Sequence, residues 1–141
     1  MYEQLRRDHL DLASIAADLM ERTTQAELTD PGGLGKCRWQ LARTLTRHLA
    51  LEDAHVYARL DTDPRAGVAA IARRYKLELG GLRDQFHTHM VEWTGDTIAR
   101  DWPGYCRAVR TLLTALKTRM QCEDNELYPL LAADNGRAVA A

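Results

Sequence analysis

Arg47-His48-Leu49-Ala50-Leu51-Glu52-Asp53-Ala54-His55-Val56-Tyr57-Ala58-Arg59-Leu60 is the stretch from which the rest of the chain can be read. It has the pattern of the closing turns of a helix. His48 and Glu52 are four residues apart, so their side chains lie one above the other on one helix face. Leu41, Leu45 and Val56 continue that stripe, so the face is the buried one. Burying an imidazole and a carboxylate is costly unless each finds a partner. Hydrogen bonds to each other and to neighbouring polar groups are the ordinary solution. A transition-metal ion is the other, since imidazole and carboxylate together suit iron, manganese or zinc. His55 adds a third candidate ligand, as Glu52-x-x-His55.

Working outward, four long helical patterns are separated by short breakers. The first runs from about Glu3 to Glu27 on the stripe Tyr2, Leu5, His9, Leu12, Ala16, Leu19 and Thr23, which places His9 on the core side. Thr29-Asp30-Pro31-Gly32-Gly33 ends it. The second runs from about Leu34 to Leu60. Asp61-Thr62-Asp63-Pro64 then offers a cap and a proline suited to a first helical turn. The third runs to about Trp93 on the stripe Val68, Ile71, Tyr75, Glu78, Leu82, Phe86, Met90 and Trp93. Gly80-Gly81 inside it signals a close contact or a local irregularity. Asp101 before Trp102-Pro103 reads as the cap of the fourth helix, which runs to about Ala132. Its inner face carries Val109, Leu112, Leu116, Met120, Glu123 and Leu127. The pattern predicts an all-α, up-down-up-down antiparallel four-helix bundle over residues 1–132 and a frayed or disordered tail over 133–141. No internal repeat and no strand pattern stands out.

With 141 residues and a net charge of −1, the chain is sized for one core and carries no excess charge to attract nucleic acid or an anionic membrane. It holds no apolar run of about 18 residues, and Met1-Tyr2-Glu3-Gln4 does not open like a signal peptide, so a cytoplasmic location is expected. Cys37, Cys106 and Cys122 lack CxxC spacing and read as packing residues. No Ser/His/Asp arrangement and no phosphate-binding glycine loop appears, so no catalytic residue is assigned.

Counting depth in such a bundle is informative. At about 1.5 Å per residue, His9, Glu52, His55, Glu123 and Glu126 all fall roughly 5–15 Å from one end, with His48, Glu78 and Arg119 one to two turns deeper. Polar residues of the inner stripes therefore converge on one region, which favours a metal site over scattered core polars. His55 and Glu126 sit at the edges of their stripes; Asp53 and Asp124 fall one step further round, toward solvent.

Arg7-Asp8-His9, His48-x-x-x-Glu52-Asp53 and Glu123-Asp124-Asn125-Glu126-Leu127-Tyr128-Pro129-Leu130-Leu131 resemble the hemerythrin-like, HHE cation-binding family over nearly the whole chain. The resemblance implies a di-iron centre inside a helical bundle and work with oxygen, nitric oxide, redox state or iron. Carried over, it makes His9, His48, Glu52 and Glu123 metal ligands. Two departures stand out. Arg119 occupies the place of a histidine four residues before the last acid. Helix three offers no histidine at the right depth, only Tyr75 and Glu78, since His87 and His89 fall toward the other end. A ferritin-like alternative would use Glu52-x-x-His55, Glu78 and Glu123-x-x-Glu126.

Three functions follow as expectations. The first is an iron protein, with a di-iron site held by His9, His48, Glu52 and Glu123 and completed by Glu78 or Tyr75, that senses or carries a small diatomic ligand or handles iron. The second is a degenerate bundle without metal that serves as a structural or protein-interaction module, with Arg119 pairing internally with Glu78 or Glu123. The third is a single-ion site of His9, His48, Glu52 and Glu123, which would also suit zinc or manganese. An exposed tryptophan near a helix end would suit a homodimer contact.

Overall fold

Polar side chains divide the core of this protein into two apolar layers. The structure, a computed structural model, describes residues 1–133, and these form helices with no strand among them. In chain order the helices are α1 (Tyr2–Arg22), α2 (Pro31–Glu52), α3 (Ala58–Asp61), α4 (Val68–Leu79), α5 (Leu82–Glu92), α6 (Gly95–Arg100) and α7 (Trp102–Cys122). A π-helical turn, Asp53–Tyr57, joins α2 to α3 without a break, and a second, Glu123–Leu127, prolongs α7 into helical residues 128–133. The expected tail lies outside the described residues save for residue 133. No helix among them is long and apolar enough to cross a membrane.

The sequence supplies the helix starts. Asp30 and Asp101 each accept a hydrogen bond from the backbone N–H three residues on, at Gly33 and Gly104 (3.0 Å in both), and a proline follows in the first turn. At Gly104 a Cβ would lie 2.1 Å from an Asp101 carboxylate oxygen, so a larger residue there would displace the capping side chain. The start of α4 departs from expectation. Asp63 does not cap it; its carboxylate is taken by Arg65, and Gly67 at φ 79° forms the N-terminal turn.

Neighbouring helices meet in opposite order along the chain. Asp8 meets Arg47 while Ile15 meets Cys37, pairing α1 with α2. Asp124 meets His9 while Arg110 meets Thr23, pairing the α7 segment with α1. Arg38 on α2 reaches the Trp93 carbonyl, and Trp93 packs on Tyr105 of α7 (ring centroids 5.7 Å apart). One apolar layer gathers Leu12, Leu19, Leu41, Leu45, Val109 and Leu116; the other gathers Leu5, Val56, Leu60, Tyr75, Leu127 and Leu131. His9, His48, Glu52, Arg119 and Glu123 fall between them in sequence and are buried.

The third helix of the sequence reading is two helices. Gly80 and Gly81 interrupt it, but the inward stripe keeps its spacing across them. Val68, Ala72 and Tyr75 face inward on α4, and Leu82 and Phe86 on α5. That stripe runs through Leu79, not Glu78, which lies one position round from it and is exposed. Trp39 on α2 is also exposed and carries Arg43 over its ring.

Candidate metal centre

His48 and Glu52 stack on the inner face of α2, with His48 Nε2 3.2 Å from Glu52 Oε1. His9 enters from α1, its Nε2 3.3 Å from Glu123 Oε1 and 4.0 Å from Glu52 Oε2. One donor atom from each of His9, His48, Glu52 and Glu123 lies within 4.8 Å of the others, and all four residues are buried. Both imidazoles are oriented from behind. Asp8, fully buried, lies 3.0 Å from His48 Nδ1, and Asp124 lies 2.9 Å from His9 Nδ1. Each Nε2 is thereby left to face the cluster, as a carboxylate behind a metal-binding histidine leaves it. Asp8 is held in turn by Gln4 (2.8 Å) and Arg47 (3.3 Å).

Three further side chains close the site. Arg119 spans both acids, donating from Nη2 to Glu52 Oε1 (3.2 Å) and from Nε to Glu123 Oε2 (3.1 Å), while Nη1 donates to the Leu79 carbonyl (3.2 Å). The Tyr128 hydroxyl donates to Glu52 Oε2 (2.7 Å) and lies 3.0 Å from His9 Nε2 and 3.4 Å from His48 Nε2. The Tyr57 hydroxyl donates to Glu123 Oε2 (2.9 Å). Among the cluster's described oxygens, Glu123 Oε1 is buried without a hydrogen bond.

The π turns explain why the tyrosines arrive here. A π turn closes i→i+5, which inserts about one extra residue into the turn. The N–H of Ala58 bonds the Asp53 carbonyl and that of Tyr128 bonds the Glu123 carbonyl. In a regular α-helix a residue five after Glu52 would be turned well away from it; the widened turn brings Tyr57, and likewise Tyr128, back toward the cluster. The two segments are versions of one pattern: His48-x-x-x-Glu52-Asp53-x-x-Val56-Tyr57-x-x-Leu60 and Arg119-x-x-x-Glu123-Asp124-x-x-Leu127-Tyr128-x-x-Leu131. This repeat went unread in the sequence, and it is the signal that would have found both tyrosines. Each donates to the acid of the other segment.

The electrostatics are uneven. Burial raises the Glu52 pKa, but the His48 hydrogen bond and the Arg119 charge outweigh it, so Glu52 is held below the usual carboxylate range. Burial and the Glu52 charge push Glu123 up to about 7. Burial lowers the His48 pKa, but its hydrogen bond with Glu52 overrides that and leaves it raised. Burial, then the nearby carboxylates, pushes the Tyr57 and Tyr128 phenols up, so both remain protonated donors.

The donor set fits a cation. Ligand distances near 2.1 Å place donors up to about 4.2 Å apart across an ion, so the cluster needs only to contract by a few tenths of an ångström. The orphaned Glu123 Oε1 and two inward imidazole nitrogens supply the lone pairs. The Hemerythrin family model, described as the hemerythrin HHE cation binding domain, matches residues 1–131. The chain belongs to the hemerythrin HHE cation-binding family. No curated protein and no solved structure matches it.

Within this hemerythrin-family chain, the structure gathers His9, His48, Glu52 and Glu123 and leaves the other sequence candidates outside. Glu78 is exposed beside Arg74 at 3.9 Å, so it neither completes the cluster nor pairs with Arg119. Tyr75 is buried in the outer apolar layer, under the Arg74 guanidinium. His55 is exposed on its π turn, and Glu126 is exposed with Arg74 at 3.5 Å, so the ferritin-like set does not assemble. Asp124, expected toward solvent, instead supports His9. Asp8 was quoted only as part of a motif; its role could not be read from helical period, since it is one residue off the His9 stripe.

Proposed function

We propose that this protein is a four-helix, up-down-up-down hemerythrin-like domain that binds iron and uses it to respond to O₂, NO or redox state. The single observation that carries the reading is the buried His9/His48/Glu52/Glu123 cluster with a carboxylate behind each imidazole. A pair of buried histidines so oriented has its Nε2 lone pairs committed to one point, which suits a cation better than it suits packing. His9, His48, Glu52 and Glu123 would hold the ion, and bound iron would supply one-electron chemistry and an affinity for small diatomic ligands. The chain's own residues do the rest. Asp8 and Asp124 fix the imidazoles, Arg119 keeps Glu52 ionised, and Tyr57 and Tyr128 hold protons on the two carboxylates' outer oxygens. The apolar layers on either side exclude water.

The experiment is metal content per chain after anaerobic loading with Fe(II) and desalting, followed by an absorption spectrum on exposure to air. Retained iron with a new near-ultraviolet or visible band supports the reading. Retention of zinc or manganese in preference to iron would leave a non-redox site. A specific observation favours a second reading: Arg119 already bridges both carboxylates, as an internal counter-ion would in a bundle that works without metal as an interaction module. No retained metal of any kind would select it.

A further inference from the structure

We infer that the centre holds one metal ion, because Arg119 occupies, with its own charge, the place of a second. The inference rests on the cation-binding reading above and concerns its stoichiometry. The two repeated segments build two half-sites. In the first, the residue four before the acid is His48, and its Nε2 lies 3.2 Å from Glu52. In the second, the same position is Arg119, and its Nε lies 3.1 Å from Glu123. A histidine there would offer a lone pair beside Glu123; a guanidinium offers only donors and stays charged.

The remaining geometry agrees. Arg119 reaches past its own acid to Glu52, so one fixed positive charge sits on the edge where the two carboxylates would bridge a pair of ions. Without it, the second half-site retains Glu123 and the Tyr57 phenol. His9 is the one imidazole near that acid, but its Nε2 lies between the two, 3.3 Å from Glu123 and 4.0 Å from Glu52, and beside the Tyr128 hydroxyl, so it serves an ion that the acids share and brings no separate ligand for a second. The two carboxylates inside the cluster already face one dication and one guanidinium, Asp8 and Asp124 being engaged behind the imidazoles, so a second dication would add to a positive excess, and like charges in a low-dielectric core repel strongly. Arg119 thus acts as a permanent second cation that needs no loading and cannot be lost.

The test is metal per chain by elemental analysis, on the full chain and on Arg119→His, both loaded anaerobically with Fe(II) alone and desalted. One ion in the native chain and two in Arg119→His is the expected result. After oxidation, the native chain should give the spin-resonance signal of an isolated ferric ion, which an antiferromagnetically coupled pair would lack. Two ions in the native chain overturn the inference while leaving cation binding intact. One ion in both proteins overturns the role given to Arg119. No ion in the native chain removes the cation-binding reading and this inference with it. Should Arg119→His not fold, Arg119→Gln answers the same question. Removing the guanidinium charge should tighten binding of the single ion at least tenfold, and unchanged affinity overturns the proposal.

Discussion

His48 and His89 are both nearly sealed from solvent, at 2% and 8% exposure, yet their protonation is pushed in opposite directions. His48 has Asp8 on one ring nitrogen and Glu52 on the other, and its pKa is raised. His89, on α5, packs beside Tyr105 near the start of α7, with ring centroids 5.8 Å apart. Burial, then the Arg38 charge, lowers its pKa to about 4, so it is a neutral packing residue. The same side chain in the same kind of core becomes a candidate ligand at one end and filler at the other. What differs is the charge placed around it, and no helical period records that.

The contrast can be broken most sharply with metal. His48→Ala and Glu52→Ala should each abolish iron retention, whereas His89→Leu should retain it in full; loss of iron in His89→Leu would void the distinction between the two ends. Arg119→Ala comes next. It strands two buried carboxylates, which should destabilise the metal-free protein by roughly 3–5 kcal/mol in chemical denaturation. An effect below about 1 kcal/mol would mean that solvent or a proton replaces the arginine at little cost.

Acid and base sharpen the comparison further. Between pH 4.5 and 6.5 the folded metal-free protein holds a proton on Glu123 that the unfolded chain releases, so this group lowers stability as pH rises. Over the same window unfolded His89 takes up a proton that the folded protein refuses, so that group raises stability as pH rises. Each contributes about 1.4 kcal/mol per pH unit, and the two oppose. The metal-free native protein should therefore change little in melting temperature there, then lose stability above pH 6.5 as His48 gives up its proton. Glu123→Gln should show stability climbing with pH, and His89→Leu should show it falling. Parallel profiles in both variants would show that the two ends titrate alike. Tyr57→Phe is a smaller probe. It removes one hydrogen bond from Glu123 Oε2, which keeps Arg119, and should cost about 1 kcal/mol. The smallest effect belongs to exposed His87: His87→Ala should alter neither melting temperature nor metal content.

Much of the site was legible because it obeys helical period. His9, His48, Glu52 and Glu123 each lie on an apolar stripe, and helix lengths place them at one depth. Glu78 was misplaced by the same reasoning, since threes and fours allow either 78 or 79 between Tyr75 and Leu82, and packing took Leu79. Tyr57, Tyr128 and Asp124 were missed for a related cause. Tyr57 closes one π turn and Tyr128 follows the other, and each turn shifts the phase by about one residue, so positions that period assigns to another face come round to the cluster; Asp124 lies within its turn, and its role depends on His9 arriving from α1.

The sequence by itself determined the helical class, the start of α7 at Asp101 and the inward stripes on which His9, His48, Glu52 and Glu123 lie, because local capping and burial periodicity are written in adjacent positions. Only the tertiary structure decided that Arg119 spans Glu52 and Glu123, that each tyrosine crosses to the other segment's acid, and that Asp8 and Asp124 stand behind the imidazoles. Those are contacts between helices, and the free energy of a buried charge depends on which opposite charges the neighbouring helices bring within about 3 Å.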